Sequence, residues 1–226
     1  MEINADFDQR ILMHAAQMPW VDSPMPGVQR RMLDRVGDEV ARATSIVRYA
    51  PNSQFSPHTH DGGEEFIVLE GVFQDEHGDY PAGTYVRNPP TSRHTPGSAS
   101  GCIIFVKLWQ FDPADRKHSV IDMNQAALMP DTLRPGVGVM PLFQDEHETV
   151  RLEVWVPGTR IEMACPDGAE LLVLAGEVRI DGNLLTAMSW MRLPKGDHLK
   201  AIAGSDGASV WVKSGHLRHI ATPHSV

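Results

Sequence analysis

Short apolar runs separated by turn residues set the pattern of this chain. Phe66–Leu69 (F-I-V-L), Cys102–Val106 (C-I-I-F-V) and Leu171–Leu174 (L-L-V-L) are bounded by Gly, Pro, Asp or Asn, the signature of strands rather than of helices. Seventeen prolines and nineteen glycines punctuate the sequence, and stretches with a 3.6-residue apolar period are scarce. The pattern predicts an all-β fold of the sandwich or barrel type. The exception is residues 1–20, where Ile11, Leu12, Ala15 and Ala16 have helical spacing and Pro19 closes the run, predicting an N-terminal helical segment. Asp112 to Pro135, with D-P-A-D-R-K and L-M-P-D-T-L-R-P, reads as a connector.

The pattern also repeats. P-G-V occurs at Pro26 and again at Pro135, and E-E-F-I-V-L-E-G-V-F is answered by A-E-L-L-V-L-A-G-E-V, which sets Gly71 on Gly176, an offset of 105 (176 minus 71). Two tandem β domains are therefore expected, over residues 21–112 and 135–226, with the connector at 113–134.

Composition narrows the function. At 226 residues, 42% apolar and 22% charged, this is the make-up of a globular protein. A net charge of -9 speaks against a nucleic-acid surface, which needs a basic face. No basic n-region with an apolar h-region opens the sequence and no run has the length of a membrane span, so a cytoplasmic location without membrane contact is expected. Cys102 and Cys165 stand 63 positions apart (165 minus 102), implying neither a disulfide framework nor a zinc finger. Cys102 reads as a small buried hydrophobe.

Candidate chemistry lies in the first domain. His58 and His60, at i and i+2, project from one face of a strand. The turn Asp61-Gly62-Gly63 lets the chain return with Glu64 leading the next apolar run, and His94 comes from a third segment. Three imidazoles and a carboxylate suit zinc, iron, manganese or nickel, and the spacing does not select among them. Arg93, Tyr85 and Asn88 lie near the ligand segments, while Glu76 and His77 read as a solvated turn. With the offset of 105, His58 falls on Met163, His60 on Cys165 and Glu64 on Ala169. His198 reads as a displaced counterpart of His94, so the second domain is expected to carry a degenerate metal site.

The segment His58 to Gly71 with Gly83, Pro89 and His94 resembles the two-part cupin signature. Asn52, Thr91 and Ser98 depart from it, standing where that pattern has Gly, Gly and Asn. The resemblance implies double-stranded β-helix (jelly-roll) barrels, here as a tandem bicupin, and its usual spacing to Gly71 favours Glu64 over Glu65. More narrowly, Pro51 to about Leu108, with D-E-H-G-D-Y-P-A-G-T-Y-V-R-N-P-P, looks like the cupin domain of ChrR-type anti-sigma factors. That family implies one zinc ion held at the positions of His58, His60, Glu64 and His94. It also implies a sensory role in which an extracytoplasmic-function sigma factor is released under oxidative stress. The family's sigma-binding half carries an H-x3-C-x2-C zinc motif that does not occur in this sequence. Three readings follow: a zinc-holding regulatory or sensory module, a mononuclear Fe(II)- or Mn(II)-dependent cupin dioxygenase, or a metal-free sugar-binding or structural barrel, disfavoured because an unoccupied cluster of three His and a Glu has no packing advantage. A small-molecule ligand and self-association are compatible with the first two.

Overall fold

The computed structural model describes residues 1–223. Its strands form two compact units, one built from Met1–Ala5, Pro19–Gln125 and the residues from Ala221, the other from Asp6–Met18 and Ala126–Ile220. In the first unit the main sheet runs in the order Glu2–Ile3, Val28–Gly37, Ala41–Tyr49, Cys102–Leu108, Glu64–Asp75, Thr84–Asn88, Ser119–Asp122, with every pairing antiparallel. The second unit repeats this order with Met129–Pro130, Val137–Gln144, Thr149–Trp155, Asp197–Ser214, Ala169–Ile180, Ser189–Leu193 and Ile11–His14. Each is a jelly-roll barrel.

The glycines that align the repeats do the same work in both. Gly71 and Gly176 have φ of +71° and +74°, and a Cβ at either would lie 2.1 Å from a carbonyl oxygen, of Gly101 or Gly207. Register shifts flank these positions, so a bulge with a left-handed glycine bends one long strand from one sheet of the barrel into the other.

Period-two alternation fills the interiors. Phe66, Val68, Phe73, Val86, Cys102, Ile104 and Val106 form the first core, and Leu171, Val173, Val178, Ile180, Val210 and Val212 belong to the second. Cys102 is buried there, as its place in an apolar run predicts.

The N-terminal helix is not formed. Ile11–His14 is a strand paired with Ser189–Leu193, and only Ala15–Gln17 is helical, as a single 3-10 turn whose His14 cap position makes no side-chain capping bond. Edge hydrogen bonds to a strand of the second unit outweigh a weak local helical preference that has neither a cap nor room to propagate before Pro19. The expected connector is structured too, because Ser119–Asp122 pairs with Thr84–Asn88 and closes the same edge of the first barrel. Each unit thus takes this edge strand from the segment that precedes the other repeat in sequence. Among the described residues no helix is long and apolar enough to cross a membrane.

Candidate metal centre

His58–His60 pairs with Ser92–His94 as a two-stranded sheet, with His58 and His94 as register partners. The turn between His60 and Glu64 is shaped by its glycines. Gly63 has φ +77°, and a Cβ on Gly62 would lie 2.2 Å from Trp109 Cδ2, so the indole packs directly on the turn backbone. Glu64 then opens the strand Glu64–Asp75 opposite Asn88.

These elements bring three imidazoles together. Ligand atoms of His58, His60 and His94 lie within 4.8 Å of one another, and His60 Nε2 is 3.0 Å from His94 Nε2. Glu64 Oε2 stands 3.3 Å from His60 Nε2 and 3.7 Å from His94 Nε2, and it accepts a 3.1 Å bond from Asn88 Nδ2. His60, Glu64 and His94 are buried, whereas His58 is exposed, so the cluster faces solvent on one side. Two of the other ring nitrogens have partners. His94 Nδ1 is 3.2 Å from Asp75 Oδ2 and His58 Nδ1 is 3.2 Å from the Ser56 carbonyl.

Burial sets the charge states. It pushes the His60 imidazole down to about 4, with His58 adding to the shift and Asp61 opposing it. Burial also lowers His94, although Glu64 pulls the other way, and it raises Glu64 despite His94 and Asn88. Neutral imidazole is the ligating form. A desolvated carboxylate beside neutral rings gains most from a cation. The donor set, three nitrogens and one carboxylate, fits a borderline divalent ion.

Other expected residues separate. Glu65 points to the opposite face, where its Oε1 accepts the Tyr85 hydroxyl at 2.7 Å. Arg93 is exposed. Glu76 is exposed but not merely solvated, since it accepts a 2.7 Å bond from the Thr95 amide beside His94. Asn52 and Thr91 have φ of +59° and +74°, the left-handed region that glycine occupies freely, which explains why the signature has Gly at both. Ser98 Oγ donates to the Val72 carbonyl at 2.6 Å. Asp75 is the residue that sequence reasoning missed. Its signal is the alternation of Phe73 and Asp75 on one face of the strand, since the Phe73 ring centroid is 5.8 Å from that of His94.

Residues 8–112 match the ChrR cupin-like domain family. Three solved structures share the fold. A protein from Nostoc punctiforme described as a candidate dioxygenase has a TM-score of 0.74 at 16% identity, over 95% of this chain and 85% of its own. Ylba from E. coli has a TM-score of 0.70 at 12% identity, over 96% and 94%. The bacterial pirin YhhW from E. coli, solved with nickel(II), has a TM-score of 0.63 at 13% identity, over 91% and 98%. The first barrel therefore carries the match to the cupin-like family, and both barrels share the fold of these structures. At these identities the structural likeness carries the fold alone, and no curated protein matches the sequence.

The second barrel repeats the strand pairs of the centre without its chemistry. Met163 faces Leu199 as His58 faces His94, and Ala169 faces Leu193 as Glu64 faces Asn88. The counterpart of His94 is therefore Leu199, fully buried. This corrects the reading of His198, which pairs with Ala164 one position away and so points to the other face. Among the described residues, His58, His60 and His94 form the one group arranged to hold a metal.

Proposed function

We propose that this cupin holds one divalent ion, zinc in the first instance, through His58, His60, Glu64 and His94, and acts as a regulatory or sensory module of the ChrR cupin kind. The observation that carries the metal reading is the convergence of three imidazoles within 4.8 Å beside a buried carboxylate. The ion would be reached from the side of exposed His58.

What favours a sensor over an enzyme is the filling of the barrel behind the imidazoles. Phe73 lies against His94, with Phe66 at 4.7 Å, Tyr49 at 5.9 Å and Tyr80 at 6.1 Å between ring centroids. These rings pack the interior of the barrel behind His94, so the site opens on the side of exposed His58.

The second reading is a mononuclear Fe(II) or Mn(II) dioxygenase on the same four residues, favoured by the likeness to a candidate dioxygenase. Three His and one Glu leave positions free on a six-coordinate ion. Protein made without added metal decides between them by elemental analysis with an oxygen electrode. Zinc at one equivalent with no oxygen uptake supports the regulatory module. Iron or manganese with oxygen uptake supports the enzyme.

A further inference from the structure

The two barrels differ in a way that separates fold from site. At an offset of 105, His58, His60, Glu64, Asp75, Tyr80, Asn88 and His94 become Met163, Cys165, Ala169, Ile180, Leu185, Leu193 and Leu199. The register supports each equivalence that matters here, since Phe73 pairs with Tyr80 as Val178 pairs with Leu185. All the replacements lie in or against the second barrel's hydrophobic core. Asp75 and Tyr80 are therefore dispensable to the barrel and absent where the imidazoles are absent.

Their contacts say what they do. Asp75 is half-buried, with its side chain 6% exposed, and divides its carboxylate, with Oδ2 at 3.2 Å from His94 Nδ1 while Oδ1 accepts the Tyr80 hydroxyl at 3.1 Å and the His77 amide at 2.8 Å. A carboxylate against Nδ1 requires the proton there, which leaves Nε2 as a lone pair aimed at His60 and Glu64. We propose that Asp75, braced by Tyr80, is a positioning residue that fixes the tautomer and ring orientation of His94 for metal binding. The inference rests on the metal reading for its purpose and on the geometry for its content.

A purely structural role for Asp75 would lie in the turn, through the His77 amide. Asp75→Asn retains that acceptor and removes the charge, so it separates the two roles. Two readouts are needed. In the metal-free full chain, ¹⁵N NMR of His94 should show Nδ1 protonated in the wild type and a mixture of tautomers in Asp75→Asn. In cobalt(II) competition titrations, Asp75→Asn should bind about 10–100-fold more weakly with a changed visible spectrum, and Tyr80→Phe should show a smaller loss in the same direction. Cobalt affinity and spectrum unchanged in a folded Asp75→Asn overturn the proposal, as does a wild-type His94 protonated on Nε2. If Asp75→Asn does not fold, Tyr80→Phe tests the same point, and an unchanged affinity and tautomer there overturn the proposal. Wild-type protein that binds no cobalt while His94 keeps its Nδ1 proton overturns the metal reading and, with it, the purpose proposed for Asp75.

Discussion

Glu64 and Glu65 are neighbours in sequence and face opposite ways. Glu64 Oε2 lies 3.3 Å from His60 Nε2, while Glu65 Oε1 accepts the Tyr85 hydroxyl. Glu64→Gln should abolish stoichiometric metal binding. Glu65→Gln should keep the metal and lower stability by about 1–3 kcal/mol, because a buried acceptor is weakened. Elemental analysis and denaturant titration of both variants check this, and metal lost only from Glu65→Gln would reverse the assignment.

Thr91 is a β-branched residue at φ +74°, just before the strand that delivers His94. A left-handed conformation costs an L-residue about 1–2 kcal/mol, partly offset in a replacement by the extra chain entropy of glycine. Thr91→Gly should therefore raise stability by up to about 1 kcal/mol, read as a rise in Tm of roughly 2–4 °C, with metal content unchanged. A lower Tm would mean that the threonine side chain contributes more than the strain removes.

Glu153 gives the second unit an acid-sensitive lock. It is buried, which by itself raises its carboxyl, but the bonds from Arg134 and the charge of Arg151 outweigh burial and hold it below the usual carboxylate range. Arg134 grips it at 2.9 and 3.0 Å and Trp155 Nε1 donates at 2.7 Å. Because the folded value is depressed, this stabilisation is present above the ordinary carboxylate range and is lost as pH falls through the folded value. Glu153→Gln should cost about 3–5 kcal/mol at neutral pH and flatten the loss of stability below the ordinary carboxylate range. Denaturant midpoints at neutral pH and in acid read both effects.

The partner of the regulatory reading is also testable. Cys102 and Cys165 are both free and buried, so these 226 residues offer no cysteine pair for the zinc clasp of the sigma-binding half. The chain alone should leave transcription by an extracytoplasmic-function sigma factor encoded beside it unchanged. Stoichiometric inhibition in a purified transcription assay would restore the full anti-sigma reading.

Much of this is legible in the sequence because it depends on period and spacing. The apolar run Phe66–Leu69, the turn glycines and Gly71 against Gly176 are local or repeated signals, and they carry the barrels. The parity of His58 and His60, and of Glu64 against Glu65, follows from the pleat of a strand. What escapes a sequence reading depends on long-range pairing. Ile11–His14 is a strand because Ser189–Leu193 offers it an edge, which no local window contains. His198 resembles a ligand one residue out of place, whereas a one-residue shift in a strand reverses the face. Asp75 shares a strand face with Phe73, but its partner His94 lies 19 positions on in the chain, a pairing that no local window contains.

The most direct test of the central claim is an anomalous difference map from crystals grown without added metal. A single strong peak per chain is predicted, about 2.0–2.2 Å from nitrogens of His58, His60 and His94 and from an oxygen of Glu64. No peak among these residues, or a second one beside Cys165 in the other barrel, would contradict it.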